Sequence, residues 1–95
     1  MTHGRTAFAG RSATWTKSAL RDVRKLPDDV RRRVAAAVVR LVEGGEGDVE
    51  SIKGASMVYR LRVGDWRVLF ERIDEEDGAG TIEIQRAQHR SEAYR

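Results

Sequence analysis

A glycine-first turn inside an alternating apolar segment is the feature that most constrains this fold. Gly64-Asp65 fits the two-residue turn of a type II′ hairpin, in which glycine takes the first position. The turn places Val63 opposite Trp66. Because side chains alternate between the two faces of a sheet, one face of the hairpin is predicted to be apolar. Its members are Tyr59, Leu61, Val63, Trp66, Val68 and Phe70.

The second face of the hairpin carries Arg60, Arg62 and Arg67. Arg62 is predicted to lie directly opposite Arg67, and like charges opposite each other destabilise a sheet. Since the apolar face must be covered by the rest of the domain, the arginine face is predicted to be the solvent side. The pattern favours binding of a polyanion there, and a solvated basic face is the alternative.

Helical spacing of apolar residues predicts two consecutive helices after a short strand over residues 11–15. Thr16 suits the N-cap of the first helix, which ends near Leu26 because proline disfavours helical geometry in the residue before it. The second helix is predicted from Pro27 to about Glu43. Its core stripe is Val30, Val34, Ala37, Val38 and Leu41.

The rest of the chain is predicted to be a loop over 45–56, the hairpin, an acidic turn over 74–80 and a last strand over 81–86. The fold class is therefore α+β, in the order strand, helix, helix and three strands. An antiparallel sheet with both helices packed on one face is expected. Residues 1–10 show no period and are predicted to be a flexible lead-in, and residues 11–95 to form a single domain.

The amino-acid composition argues against several kinds of functional site. The 95-residue chain has no cysteine and only two histidines, so disulfides, thiol nucleophiles and a histidine metal motif are not expected, and no cofactor is predicted. The longest apolar run, over 34–39, is too short to cross a bilayer, and the first residues lack a signal-peptide core. A cytoplasmic protein without a membrane partner is expected. Its net charge of +3 mildly favours a nucleic-acid partner.

Several segments together resemble the RelE-type toxins of the RelE/ParE toxin–antitoxin superfamily. They are Thr16–Val23 before Leu26-Pro27, Ile52-Lys53-Gly54, the 59–70 hairpin and the ending His89-Arg-Ser-Glu-Ala-Tyr-Arg95, within about residues 13–95. The resemblance implies a RelE-like fold and a small ribonuclease that enters the ribosomal A site, cleaves messenger RNA there without a metal and so inhibits translation. A cognate antitoxin would hold it inactive, and operator DNA would be bound only through the antitoxin complex.

Carried over residue by residue, the resemblance implies catalytic or phosphate-binding roles for Arg60 and Arg62. Arg67 matches the arginine that stabilises the reacting phosphate. Tyr94 matches a tyrosine that stacks on a base or assists proton transfer, and Arg90 matches a basic residue close before it. Some relatives have lysine where this chain has Arg60 and Arg62. That difference leaves open a degenerate toxin that binds antitoxin and operator DNA without cleaving RNA.

Metal-free RNA cleavage needs a general base, cations around the phosphate and a general acid. Arginine stays protonated and supplies only the cations. The candidate bases, in order of preference, are His89, Glu83 and Lys53. Each has a structural alternative: a hydrogen-bonded anchor of the terminal strand, a charge partner of the arginines and a solvated loop residue. Lys53 and Arg86 are further candidates for contact with an RNA backbone.

The outer side of the second helix, near Ala36, Val39 and Arg40, is a predicted antitoxin-binding surface. Val39 projects away from the core stripe, and a partner helix docks through a few apolar anchors. An isolated exposed valine is the alternative. The alternative function is a ParE-like DNA gyrase inhibitor without nuclease activity. The C-terminal ending and the basic hairpin face favour the RelE type.

Overall fold

A mixed sheet with helices on one face forms the domain in the computed structural model, which describes residues 7–93. In chain order the elements are β1 (Ser12–Trp15), α1 (Lys17–Arg24), α2 (Asp28–Gly44), β2 (Asp48–Ser51), β3 (Val58–Val63), β4 (Trp66–Ile73), β5 (Thr81–His89) and α3 (Arg90–Ala93). The strand order is β1-β5-β4-β3-β2. The predicted α+β class and the packing of the helices are confirmed. None of the described helices is long and apolar enough to cross a membrane.

Three details of the predicted topology were wrong. The sheet is mixed rather than antiparallel, because β1 pairs with β5 in parallel across a long connection. The predicted loop over 45–56 contains β2, a short strand whose alternate charged residues hide its pattern. The last strand continues beyond Arg86 to His89, because an irregularity within it breaks the simple alternation.

The predicted hairpin is confirmed in turn and register. Val63 pairs with Trp66, and Arg62 lies opposite Arg67. Gly64 has a φ of 60°. Asp65, the second residue of the turn, does not have a positive φ, because Met57 is the one described residue other than glycine that does. One positive φ at the first turn position fits type II′ and excludes type I′.

The core lies between the helices and the hairpin's apolar face. All five residues of the predicted α2 stripe are buried. Phe8 joins them at 1% exposure, and its ring meets the rings of Tyr59 and Phe70 edge-on at 5.1 and 5.4 Å. The predicted flexible lead-in is therefore corrected for residues 7–10, because a single aromatic residue without a period gave no signal. Residues 1–6 lie outside the described part of the chain.

The start of α1 and the end of α2 lie where the sequence predicts them. The Thr16 hydroxyl accepts the Ala19 N–H at 3.1 Å, which caps α1. Gly45 ends α2 in the left-handed conformation, and its N–H donates to the Leu41 carbonyl. These caps fix where α1 begins after β1 and where α2 ends before β2.

A β-bulge in β5 decides which residues reach which face. Leu69 pairs with Arg86, but the next residue, Phe70, pairs with Ile84, so Gln85 is an extra residue in the strand. From this point to the end of β5, each side chain faces the side of the sheet opposite to the one that uninterrupted alternation would give it. Gln88 therefore shares the face of Arg67, and His89 shares the helix face with Trp66.

Asp22 of α1 holds the strand just after the bulge. β1 pairs with β5 only as far as Ile84. Beyond it, the Asp22 carboxylate accepts the Ala87 N–H at 2.9 Å and the Arg86 Nε–H at 2.8 Å. Burial by itself raises the pKa of Asp22, but the hydrogen bonds from Arg86 and Ala87 outweigh it and hold the pKa below its usual value.

Asp22→Asn should remove part of the acid sensitivity of the fold. A carboxyl whose pKa is lower in the folded state stabilises above its unfolded pKa of about 3.9, and this contribution disappears as the pH falls through the folded pKa. We expect the urea midpoints of the parent and of Asp22→Asn to differ at neutral pH and to converge as the pH falls through the lowered pKa of Asp22. A difference that stays constant down to low pH would rule out ionisation of Asp22 as the source.

Candidate functional site

The candidate site is an arginine cluster on the open face of the sheet, meaning the face away from the helices. It comprises Arg62, Arg67, Gln88 and Arg90, next to the hairpin turn. Arg62 and Gln88 are the Cα partners of Arg67 on the two neighbouring strands. The Arg90 N–H donates to the Asp65 carbonyl at 2.8 Å, which brings the start of α3 to the turn. The structure therefore brings together three of the predicted arginines, and it adds Gln88.

Arg67 is buried to an unexpected degree for a residue of the open face, with 6% exposure. Its Nη1 donates to the carbonyls of Gly64 and Trp66 at 2.8 and 2.9 Å, so the side chain turns back towards the hairpin turn. Its Nε is buried without a hydrogen-bond partner. No acidic side chain within residues 7–93 pairs with it, and a buried charge without an acidic partner is costly. The expectation of a fully solvent-facing guanidinium was wrong.

The other two hairpin arginines have acidic partners on β2. Arg60 pairs with Glu50 at 2.9 Å, and Arg62 approaches Asp48 at 3.7 Å. The strand that the sequence pattern did not predict thus relieves the repulsion within the hairpin. Repulsion between Arg62 and Arg67 is therefore no longer a reason to expect a polyanion. The Arg62 side chain is 53% exposed and its contact is long, so exchanging Asp48 for another anion would cost little.

His89 lies on the opposite side of the sheet from the arginine cluster. Its ring packs edge-on against Trp66, with centroids 5.2 Å apart. Its Nδ1 accepts the Ser91 N–H at 3.3 Å and lies 3.0 Å from the Ser91 hydroxyl. The first candidate base therefore does not lie beside the arginine cluster, because the bulge in β5 places His89 on the helix face. The structural alternative, an anchor for the end of β5, fits these contacts.

Three further predicted residues lie away from the cluster. Glu83 is on the open face but opposite Glu71, towards the other end of β4. Lys53 is exposed in the turn before β3 begins, whereas the arginine cluster lies at the other end of β3, next to the hairpin turn. Arg86 binds the Asp22 carboxylate, and this hydrogen bond raises the pKa of Arg86.

Tyr94 lies outside the described residues. The predicted antitoxin surface is exposed: Ala36, Val39 and Arg40 all face solvent on α2. Gln88 was missed because the prediction ended the last strand at Arg86. An extra residue in an alternating strand is the only signal that could have revealed its face.

Several solved structures of RelE toxins have a fold similar to that of this chain. The RelE chain of the RelB–RelE complex from Methanococcus jannaschii matches with a TM-score of 0.68 and 26% identity, covering 85% of this chain and 94% of that one. The RelBE2 complex from Mycobacterium tuberculosis gives 0.70 and 21%, covering 87% and 94%. The isolated Escherichia coli RelE toxin gives 0.66 and 19%, covering 88% and 90%. At such low identity the last two support the fold alone. No curated protein matches the chain significantly.

The family match and the fold make this chain a toxin of the RelE/ParE superfamily, as the resemblance predicted. Within it, residues 13–94 match the model of the ParE toxin family, described as the ParE toxin of the type II toxin–antitoxin system parDE. Because that match spans most of the sequence, the chain belongs to this family.

Proposed function

We propose that this type II toxin is a ribosome-dependent messenger-RNA endoribonuclease that inhibits translation. The observation that supports the proposal best is Arg67, a buried guanidinium with an unsatisfied Nε and no acidic partner within residues 7–93. A phosphate oxygen that accepts from this guanidinium once the side chain turns outward would compensate the charge. Arg62 is an exposed cation on the neighbouring strand, and Arg90 is an exposed cation at the hairpin turn, with its Nε 3.9 Å from the Asp65 carboxylate.

Each member of the cluster has a role in this proposal. Arg67 neutralises the charge that develops on the phosphate when the 2′-hydroxyl oxygen attacks phosphorus and the 5′-oxygen leaves, with water taking the 2′-hydroxyl proton and giving one to the 5′-oxygen. Arg62 and Arg90 bind the flanking phosphates and fix the register of the RNA. The amide of Gln88 can donate to a phosphate oxygen. Positioning and charge neutralisation are thus the contributions of this chain.

The proposed partners are the ribosome, its messenger RNA and a cognate antitoxin. The relatives from Methanococcus jannaschii and Mycobacterium tuberculosis were solved as complexes with antitoxins, which supports the last of these. Operator DNA would be bound only through the antitoxin complex. The proposed location is the cytoplasm, where ribosomes translate.

The decisive experiment induces the toxin alone and maps messenger-RNA 5′ ends and DNA supercoiling in the same culture. We expect new 5′ ends inside translated codons and unchanged supercoiling. Intact messenger RNA together with gyrase-linked DNA breaks would contradict the nuclease proposal. Absence of growth arrest would instead favour the degenerate toxin.

A ParE-like gyrase inhibitor is the second candidate function. Two observations favour it: the match to the ParE toxin family, and the lack of a candidate base among the described residues of the arginine cluster. An inhibitor needs a binding surface but no proton transfer. The same experiment separates the two functions.

His89→Gln should cleave messenger RNA at close to the parent rate. The imidazole packs on Trp66, away from the cluster, so it is not placed to take a proton from RNA bound at Arg67. Single-turnover cleavage across pH 5.5–8.5 is the measurement. A loss of about 10²-fold or more, together with loss of the acidic limb of the pH profile, would restore His89 as the general base.

A further inference from the structure

The Arg67 guanidinium is turned towards the backbone of the hairpin turn rather than towards the open face. Its Nη1 donates to the carbonyls of Gly64 and Trp66 at 2.8 and 2.9 Å, and the residue is 6% exposed. We call this arrangement the inward conformation. A guanidinium held in this way is not presented to a phosphate on the open face. Binding of a phosphate therefore requires a second conformation of Arg67, which we call the outward conformation.

The inward conformation satisfies the guanidinium only in part. A guanidinium has five N–H donors, but both hydrogen bonds come from Nη1, and Nε is buried without a hydrogen-bond partner. A buried donor without an acceptor costs free energy, and so does a buried charge. Arg62, the Cα partner of Arg67 on β3, adds a like charge beside it. These costs reduce the free energy that is needed to turn the side chain outward.

Gln88 is the Cα partner of Arg67 that offers a hydrogen-bond acceptor, because the other one, Arg62, can only donate. The bulge in β5 places Gln88 on the open face, and the Cβ atoms of directly opposite residues lie about 4.5–5.5 Å apart. Gln88 is half-buried, and within residues 7–93 its carboxamide forms no hydrogen bond. An outward Arg67 therefore meets an available amide oxygen on the neighbouring strand.

We propose that Gln88 is a positioning residue, which holds Arg67 in the outward conformation when RNA binds. The Gln88 Oε1 accepts from the guanidinium, and its Nε2 donates to the phosphate oxygen that Arg67 also binds. The proposal rests on the proposed function for the identity of the bound phosphate. In the free toxin the Gly64 and Trp66 carbonyls keep Arg67 inward, and binding of RNA shifts the population to the outward conformation.

A carboxamide suits this position better than a charged side chain would. A carboxylate at position 88 would hold the guanidinium more strongly, but it would repel the phosphate. A lysine would attract the phosphate, but it would repel Arg67. An amide accepts on one side and donates on the other without adding charge. Variants at position 88 can therefore separate the contact with Arg67 from the contact with RNA.

The first test uses the toxin without RNA and compares Gln88→Glu with Gln88→Met. The measured quantities are the carbonyl ¹³C resonances of Gly64 and Trp66, because both carbonyls lose their donor when Arg67 turns outward. Arg67→Ala gives the reference positions without a donor. Gln88→Glu should move both resonances to the reference, because a carboxylate is the stronger acceptor. Gln88→Met, which has no amide, should leave them at the parent positions.

Resonances of Gln88→Glu that coincide with those of the parent would overturn the proposal. Urea midpoints establish that each variant is folded, and Gln88→Ala replaces Gln88→Met if the methionine variant unfolds. The expectation for Gln88→Ala is the same, since alanine also lacks an amide.

The second test adds a short 2′-O-methyl RNA, which lacks the attacking hydroxyl, so the result does not depend on cleavage. Saturating RNA should move the Gly64 and Trp66 carbonyl resonances of the parent towards those of Arg67→Ala recorded with the same RNA. This movement should be at least halved in Gln88→Met. Gln85→Met is the matched control, because it makes the same change in the same strand, and it should respond as the parent does. Equal movements in Gln88→Met and Gln85→Met would contradict the positioning role.

The third test asks whether Gln88 acts on the reaction through Arg67. At saturating ribosome, Gln88→Met should lower the single-turnover cleavage rate about tenfold, with little change in the half-saturating ribosome concentration. In the Arg67→Ala background, the same substitution should have almost no further effect, because the group that it positions is absent. Losses that multiply in the double variant would exclude a role through Arg67. If induction yields no cleaved messenger RNA, the proposed function fails, whereas the comparison without RNA still decides whether position 88 holds Arg67.

Discussion

Arg67→Ala is expected to slow single-turnover cleavage at saturating ribosome by about 10²–10³-fold, with ribosome affinity nearly unchanged. The guanidinium is buried at the end of the sheet, where charge neutralisation is stronger than in water. Its contribution acts on the chemical step, because the extra negative charge on the phosphate exists only in the transition state.

Arg60→Ala is the matched control for this result. It removes the same side chain from the same open face, but Arg60 is already paired with Glu50. We expect its cleavage rate to stay within a few-fold of the parent rate. Arg67→Ala should remain folded, since it removes a buried charge without an acidic partner within residues 7–93. Equal losses in the two variants would mean that the open face acts only through its total charge.

Phe70→Ala should lower the free energy of unfolding by about 3–5 kcal/mol. Phe70 is fully buried, stacks on Tyr59 at 5.6 Å and meets Phe8 edge-on. Its removal leaves a cavity at the centre of the sheet that two aromatic neighbours cannot fill without moving. Urea unfolding at neutral pH measures the loss, and a domain of this size could lose most of its stability.

A matched leucine pair serves as the control for the core. Leu61→Ala, at 1% exposure, should cost about 2–5 kcal/mol, whereas Leu20→Ala, at 44% exposure on α1, should cost less than about 1 kcal/mol. Similar losses at both leucines would contradict the assignment of the hairpin's apolar face to the core.

The hairpin and the helices were predictable because each has a strong local signal. Gly64-Asp65 sets the register of β3 and β4, and Thr16 and Pro27 mark where the helices begin and end. Strand β2 has no such signal. Asp48 and Glu50 occupy its open-face positions, and only their partners Arg62 and Arg60 on another strand explain them. A pairing between distant segments cannot be inferred from the pattern of one of them.

The candidate site was only partly predictable for the same reason. Arg62 and Arg67 followed from alternation, but the burial of Arg67 depends on how its side chain turns towards the Gly64 and Trp66 carbonyls. His89 was chosen as a candidate base by elimination, and its face depends on the extra residue Gln85 in β5, which no local sequence pattern reveals.

That extra residue matters for comparing toxins of this family with one another. In a relative that lacks a counterpart of Gln85, the same C-terminal residues would point to the opposite faces of the sheet. Its histidine would then lie on the open face and its glutamine on the helix face. Two proteins with identical endings could in this way differ in chemistry through a single insertion upstream, so their side chains are better matched by sheet face than by distance from the C-terminus.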